Sequence, residues 1–286
     1  MAGNELIMSK VTVYRNQSGH TLPVLNHIDL RIAVGEWVNI VGPNGSGKST
    51  LAQLIAGIQS THSGNFDRGF LPEVVPYVMQ QHYCIGDTPW EDIIFQLEMR
   101  GEEPQQIPGI AHQALLAVGL DNLMHRPFAE LSGGQKQLAA IAGCIAAKAP
   151  LLLLDEATSM LDSTSRKDVL NTVQAIHQQG ASVIWLTHHM EELAAGTRVI
   201  GLMDGKITFD GPTASFFYGD EGTHDSPLQP ELSPETSTGM TPCEQLGFEP
   251  PYPVQVAREL IRQGVHLDRR PLTAEQLVEA VHKHVR

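Results

Sequence analysis

Residues 42–50 carry the chain's clearest sign of chemistry. They read GPNGSGKST and match the pattern G-x-x-x-x-G-K-[ST] at every fixed position. The glycines allow a tight turn that points consecutive backbone N–H groups at phosphate oxygens, and the helix that follows directs its positive end at the same anion. In this pattern the Lys48 ammonium reaches the β- and γ-phosphates, and the Ser49 hydroxyl ligates Mg²⁺. We therefore predict a nucleotide phosphate site formed by Asn44, Gly45, Ser46, Gly47, Lys48, Ser49 and Thr50.

A second set of reactive groups follows an apolar run farther along the chain. Residues 151–154 are four consecutive leucines, typical of a strand buried on both faces of a parallel sheet, and Asp155 and Glu156 come directly after them. Open α/β sheets bind ligands beyond the carboxyl ends of their strands. Asp155 is predicted to hold the metal, directly or through water, and Glu156 to accept a proton from the attacking water. Two solvated acids ending a strand would be the plainer interpretation, but the phosphate loop upstream favours the functional one.

The segment 131–135 narrows the class. It reads LSGGQ, and with it the chain resembles the ABC ATPase family, whose signature is this pentapeptide. Ser132 supplies a hydroxyl, and the glycines, Gly134 among them, expose backbone N–H groups at the start of a helix, which together make a second anion site. The resemblance implies that the two phosphate-binding loops face different nucleotides. Two chains must then pair head to tail to complete either ATP site.

Other sequence motifs of the ABC family occur in the family's order along the chain. Gln80 resembles the glutamine that contacts the metal and the water and faces the membrane subunit. Asp162 resembles the residue that couples the two sites, and His188 resembles the histidine that reaches the γ-phosphate. The family stacks adenine on an aromatic residue after the first strand; Tyr14 stands near that position, but strand alternation also allows Arg15 to occupy it.

The elements that must position these residues follow from periodicity. Alternating apolar residues predict strands through residues 1–42, and the apolar runs 37–41 and 182–186 predict buried strands. Helices are predicted over 49–57 and 167–179, so strands alternate with helices as in a mainly parallel α/β sheet. The predicted fold is an α/β, P-loop NTPase of the ABC nucleotide-binding type, over 1–219, with a helical subdomain at about 84–140.

The C-terminal part has a different composition. Residues 220–242 are rich in Pro, Ser, Thr, Glu and Gly, which predicts a flexible linker. Residues 243–286 then predict a small helical extension, with Val254, Ala257 and Ile261 on one helical face, and with Thr273 and Gln276 in a capping box.

That extension points to one branch of the family. The stretches QLGFEPP at 245–251 and LTAEQL at 272–277 resemble the C-terminal extension of energy-coupling factor (ECF) transporter ATPases. This resemblance implies an A component that pairs with a second ABC ATPase, with the extension contributing to dimerisation; a paralogue is favoured over an identical chain, and the sequence leaves that choice open. It also implies a transmembrane T component, substrate-binding S components, import of vitamins or transition-metal ions, and a peripheral location on the cytoplasmic face of a bacterial membrane.

Composition limits the alternatives. The net charge of −13 argues against nucleic acid as a partner, because sequence-independent binding needs lysine and arginine to neutralise phosphates. The sequence contains no run of about 18 apolar residues, so no membrane-spanning segment is predicted.

A conventional ABC importer subunit is the main alternative to an ECF ATPase, and the C-terminal extension distinguishes these two classes. A soluble ABC ATPase acting on ribosomes or DNA is disfavoured by the single cassette and the acidic balance, and a non-hydrolysing subunit by the presence of Glu156 and His188.

Overall fold

A computed structural model describes residues 3–17, 20–79, 84–219 and 240–284. The chain begins with an antiparallel sheet of three strands. Its central strand β1 pairs with β2 on one side and with β4 on the other. The strands are β1 (Glu5–Gln17), β2 (His20–Ala33) and β4 (Ser63–Asp67).

The second sheet positions the reactive groups. Its order is β5-β6-β7-β3-β8-β9, and all neighbours are parallel except β8 and β9. Every residue of β3, β6 and β7 is buried, which explains why these strands are continuous apolar runs in the sequence. The strands are β3 (Trp37–Val41), β5 (Tyr77–Val78), β6 (Leu151–Asp155), β7 (Ser182–Leu186), β8 (Arg198–Met203) and β9 (Lys206–Pro212).

Helices cover both faces of this sheet. Helix α1 (Lys48–Ala56) shares one core with the antiparallel sheet and with side chains such as Ile40 and Leu153. On the opposite face, α5 (Ser163–Gln178) and its neighbours pack against Trp37 and Trp185. This layering confirms the predicted α/β fold class.

The helical subdomain lies between β5 and β6. It contains α2 (Pro89–Met99), α3 (Ile107–Ala117) and α4 (Gly133–Ala146), with two short 3-10 turns between α3 and α4. The three helices pack on one another, and α4 also contacts α5 and β5. The subdomain is therefore joined to the sheet through α4, the helix that begins within LSGGQ.

Two predicted helices have different bounds in the structure. Helix α1 spans Lys48–Ala56 rather than 49–57, because Gly57 has φ 83° and caps its C-terminus. Helix α5 begins at Ser163, four residues before the predicted start. Its first turn is polar and lacks apolar periodicity, but the carboxylate of Asp162 caps it and makes that turn helical.

The C-terminal extension packs on α6 (Thr213–Tyr218) and on side chains of β3 and β8, two interior strands of the second sheet. It follows α6 and consists of α7 (Pro242–Gln245), α8 (Tyr252–Arg262) and α9 (Ala274–His284). Phe216 and Phe217 of α6 share a core with Cys243, Leu246 and Val254 of the extension. None of the helices in these described parts of the chain is long and apolar enough to cross a bilayer.

Three details of the extension differ from expectation. Most of the predicted linker, 220–239, lies outside the described residues, but Thr241 caps α7, so the end of the linker belongs to a helix. Val254 and Ala257 are buried as predicted, whereas Ile261 is 42% exposed. Thr273 accepts from the N–H of Gln276, but the Gln276 side chain turns to the N–H of Leu272, which leaves the predicted capping box half formed.

Candidate nucleotide site

The phosphate loop joins the end of β3 to the start of α1. The backbone turns through Gly45 at φ 82° and Gly47 at φ 104°, conformations that side chains other than glycine rarely adopt. A Cβ on Gly47 would also lie 2.8 Å from the carbonyl oxygen of Val24. The loop thus leads from the carboxyl end of β3 directly into the N-terminus of α1, the end of a helix that favours an anion.

Lys48 lies against its own loop. It is 6% exposed, and its Nζ donates to the carbonyl oxygens of Gly42 (2.8 Å) and Pro43 (3.3 Å). Burial lowers the pKa of Lys48, and the nearby carboxylates of Glu156 and Asp155 act in the opposite direction. The structure therefore brings the cation of this loop into the electrostatic field of both strand-end acids.

The rest of the loop is partly open. Asn44, Gly45 and Ser49 are exposed, and Thr50 is half-buried. Ser46 is buried, and its Oγ has no hydrogen-bond partner among the described residues. A buried hydroxyl without a partner is costly, so Ser46 Oγ is a group that a bound ligand could satisfy.

Asp155, at the end of β6, has two dissimilar carboxylate oxygens. Its Oδ2 accepts a hydrogen bond of 2.5 Å from the hydroxyl of Tyr77, whereas its Oδ1 is buried with no partner within the described part of the chain. Burial and the bond to Asp155 raise the pKa of the Tyr77 phenol, which therefore stays a donor. Tyr77 fixes the carboxylate and leaves one oxygen available, an arrangement suited to a Mg²⁺ ligand.

Glu156 and His188 lie close together. Glu156 Oε1 is 3.4 Å from His188 Nδ1, and the two side chains are 20% and 41% exposed. Glu156 has φ 50°, a left-handed conformation that costs a non-glycine residue about 1–3 kcal/mol, and its N–H donates to the carbonyl oxygen of Leu186. That bond ties the loop after β6 to the end of β7, two residues before His188, so the sheet itself brings the acid and the histidine together.

The signature segment caps α4. The Oγ of Ser132 accepts from the N–H of Gln135, and the Gln135 side chain accepts from the N–H of Ser132. Ser132 is exposed, whereas Gly134 is buried, and a Cβ on Gly134 would lie 2.8 Å from the Cβ of Ser165. The glycine thus allows α4 to pack closely on the start of α5, while the hydroxyl of Ser132 stays at the surface.

The remaining predicted site residues fall into three groups. Asp162 accepts from the N–H groups of Thr164 and Ser165 and from the Ser165 hydroxyl, and these bonds lower its pKa, so the carboxylate is engaged by its own helix. Gln80 lies outside the described residues. Tyr14 is 40% exposed and meets the His62 ring edge-on at 5.7 Å, so the choice between Tyr14 and Arg15 as the adenine partner stays open.

The structure adds two polar residues to the site that the motifs do not contain. Tyr77 contacts Asp155, and Glu192 lies buried beneath the segment that carries His188. For Tyr77 the only local signal is its position three residues before Gln80. Glu192 follows another glutamate in the sequence and resembles an ordinary solvated acid.

Comparisons with known proteins identify relatives of the chain. The ABC transporter family profile matches residues 25–159. The energy-coupling factor transporter ATP-binding protein EcfA1 of Halalkalibacterium halodurans is 34% identical over 275 residues, which are 92% of each chain.

Two solved structures show the same fold. CbiO1 from Clostridium perfringens, part of the ABC transporter complex CbiONQ, gives a TM-score of 0.67 at 25% identity and covers 76% of this chain and 91% of its own. The ATP-binding cassette MJ0796, in a dimeric post-hydrolysis state with ADP and Pi, gives a TM-score of 0.65 at 25% identity. The match covers 73% of this chain and 98% of the MJ0796 chain. The chain belongs to the ABC ATPase family, whose members hydrolyse ATP to drive transport, and within it to the energy-coupling factor transporter ATP-binding proteins.

Proposed function

We propose that the chain hydrolyses ATP held on residues 42–50, with Glu156 as general base and His188 as its partner. The observation that carries this proposal is that Glu156, His188 and Lys48 lie near one another, beyond the carboxyl ends of the parallel strands. Glu156 accepts a proton from water as the water oxygen bonds to the γ-phosphorus. The bond from that phosphorus to the β–γ bridging oxygen breaks, and the products are ADP and inorganic phosphate.

Lys48 and His188 bind and orient the reacting groups. Before ATP binds, the ammonium of Lys48 is held beside the site by its bonds to Gly42 and Pro43. When ATP binds, Lys48 exchanges these bonds for bonds to the β- and γ-phosphate oxygens. His188 holds the Glu156 carboxylate through Nδ1 and, by the family resemblance, reaches the γ-phosphate. Asn44, Gly45, Ser46, Gly47 and Thr50 complete the phosphate cradle.

The residues present also fit Mg²⁺. Oxygen ligands are the ones this ion prefers, and the buried Oδ1 of Asp155 lacks a partner within the described part of the chain. Asp155 and Ser49 would hold the ion, with Gln80 as a further ligand from outside the described residues. When bound, Mg²⁺ neutralises charge on the phosphates.

The signature segment supports a two-chain arrangement. Ser132 is exposed at the N-terminus of a 14-residue helix, where a hydroxyl and a helix dipole favour an anion. Head-to-tail pairing would place Ser132 and Gly134 of one chain on the γ-phosphate held by the other, with Asp162 between the two sites. We favour a paralogous ATPase as the second chain, and the extension 243–286 as a dimerisation element linked through 220–242.

The transport role follows from the ECF branch. The chain would work as a peripheral subunit on the cytoplasmic face of a bacterial membrane, beneath a transmembrane T component and exchangeable S components. Opening and closing of the ATPase pair would drive import of a vitamin or a transition-metal ion. Because the S component selects the solute in this design, the ATPase itself is not specific for one.

The test is purification of the tagged full-length chain from gently solubilised native membranes. We expect a second ABC ATPase, one T-like membrane protein and small S proteins to accompany it, and Mg²⁺-dependent ATPase activity in the recovered complex. Recovery of a self-dimer with a conventional permease pair would reject the ECF assembly. An intact complex in which Glu156→Gln hydrolyses ATP at the wild-type rate would reject the assigned chemistry.

A further inference from the structure

A carboxylate that the catalytic roles above do not use lies beneath the His188 segment. The side chain of Glu192 is 2% exposed and accepts three hydrogen bonds. Its Oε1 accepts from Thr158 Oγ1 (2.6 Å), and its Oε2 accepts from Thr187 Oγ1 (2.6 Å) and Trp185 Nε1 (2.9 Å). A buried carboxylate with this many donors is held in one position.

The donors come from the two loops that carry the reacting groups. Thr158 lies two residues after Glu156, and Thr187 directly precedes His188. Thr187 Oγ1 also accepts from the N–H of His189 at 3.0 Å, so the backbone on both sides of His188 is tied to the same hydroxyl. Glu192 therefore joins the loop after β6 to the loop after β7 through a single side chain.

The charge of Glu192 is paired with one cation, at ion-pair rather than hydrogen-bond distance. Arg166 Nε lies 3.6 Å from Oε1, and this nitrogen has no hydrogen-bond partner among the described residues. Burying a carboxylate is unfavourable unless it is paired or well hydrogen-bonded, and a neutral side chain would fill the same space at lower cost. Packing alone does not explain a charged residue at this position.

We propose that Glu192 is a positioning residue that holds the loop of Glu156 and the loop of His188 in register, so that displacement of one loop is transmitted to the other. This inference rests on the roles proposed above for Glu156 and His188. Movement of His188 on the γ-phosphate would pull Thr187 and, through Glu192, Thr158 and the turn that leads to Asp162.

Substitution of the carboxylate tests the positioning role. Glu192→Gln keeps the size but removes the charge and one acceptor oxygen, and Glu191→Gln removes a charge from an exposed neighbour on the same turn. In the complex recovered from membranes we expect Glu192→Gln to lower kcat about tenfold, since small misplacement of reacting groups is costly, with KM for ATP within about twofold. The control should match wild type. Equal kcat for the two variants, or a parallel loss of ATP affinity and Tm in Glu192→Gln, would overturn the proposal.

A double-mutant cycle tests the link between the two loops. Thr158→Val and Thr187→Val each replace a hydroxyl by a methyl group of similar size, and each frees Glu192 from one loop. If Glu192 joins the loops, the double variant loses less kcat than the product of the two single losses, and this non-additivity disappears in the Glu192→Gln background. Losses that multiply in the wild-type background would overturn the link. Failure of the proposed function is distinguishable, because then Glu156→Gln would keep wild-type activity.

Discussion

Two loops of the chain, both proposed above to face phosphate, are built in opposite ways. The loop at 42–50 has its lysine buried, Gly45 and Gly47 in left-handed conformations and two acids close by, so the groups proposed to bind the phosphates come from one chain. The signature loop presents the exposed Ser132 at a helix end, and that hydroxyl is engaged by Gln135 of the same helix. It has an anion-binding helix end and no described catalytic group beside it.

This difference separates two steps of the cycle. Binding of the ATP phosphates should depend mainly on the first loop, whereas closure of two chains should depend on the second. The loops are joined inside the chain, because Gly134 of α4 packs against Ser165 at the start of α5, next to Asp162. We expect displacement of the signature loop on closure to be transmitted to α5. This helix contains Arg166, whose ion pair with Glu192 connects it to the His188 segment.

The largest effect should come from removing the base while keeping the cradle. Glu156→Gln retains the size of the side chain but cannot accept the proton, and general base catalysis contributes about 10²–10⁴-fold. We expect kcat to fall by that factor in single- and multiple-turnover assays, while ATP affinity by fluorescence titration stays within about threefold. A similar loss of ATP affinity would show that the cradle and the chemistry are not separate.

Loss of the cation should act on binding instead. Lys48→Met keeps the apolar stem but removes a charge-assisted contact to two phosphates, worth about 1.5–3 kcal/mol. We expect ATP affinity to fall by about 10–100-fold by titration calorimetry. AMP is the control ligand, since it lacks the β- and γ-phosphates. If the affinity for AMP falls as much as the affinity for ATP, Lys48 acts on the fold of the loop rather than on the phosphates.

The signature loop should show the reverse pattern. Ser132→Ala removes one hydroxyl contact to a partner's nucleotide, so we expect about a tenfold loss of turnover in the complex with unchanged ATP affinity of the separate chain. It also removes a helix cap worth about 1 kcal/mol. Thr88→Ala is the control, because Thr88 caps α2 in the same way. If the control loses as much turnover, the effect of Ser132→Ala is only that of a weakened helix.

The sequence predicts those parts of the fold and the site that are encoded locally. The phosphate loop and LSGGQ are marked by glycines that permit turns and close packing, and β3, β6 and β7 are marked by continuous apolar runs, which are typical of strands buried on both faces. The contacts of Tyr77 and Glu192 depend instead on how strands pair and which loops meet. No period or spacing marks them, and the polar first turn of α5 was missed for a related reason, since a cap rather than an apolar stripe starts that helix.

The smallest effect on ATP binding should come from the contact that orients Asp155, the proposed metal ligand at the end of β6. Tyr77→Phe removes the hydroxyl that holds Asp155 Oδ2, and loss of such a supporting contact typically weakens metal binding about tenfold or more. We expect a loss of roughly that size in Mn²⁺ affinity by electron paramagnetic resonance, with a smaller change in ATP affinity. Tyr218→Phe removes a comparable hydrogen bond, to the carbonyl oxygen of Pro271 in the extension, and should leave Mn²⁺ affinity unchanged. If both variants bind Mn²⁺ as wild type does, the Asp155 carboxylate is held by its own strand alone and needs no support from the strand that leads to Gln80.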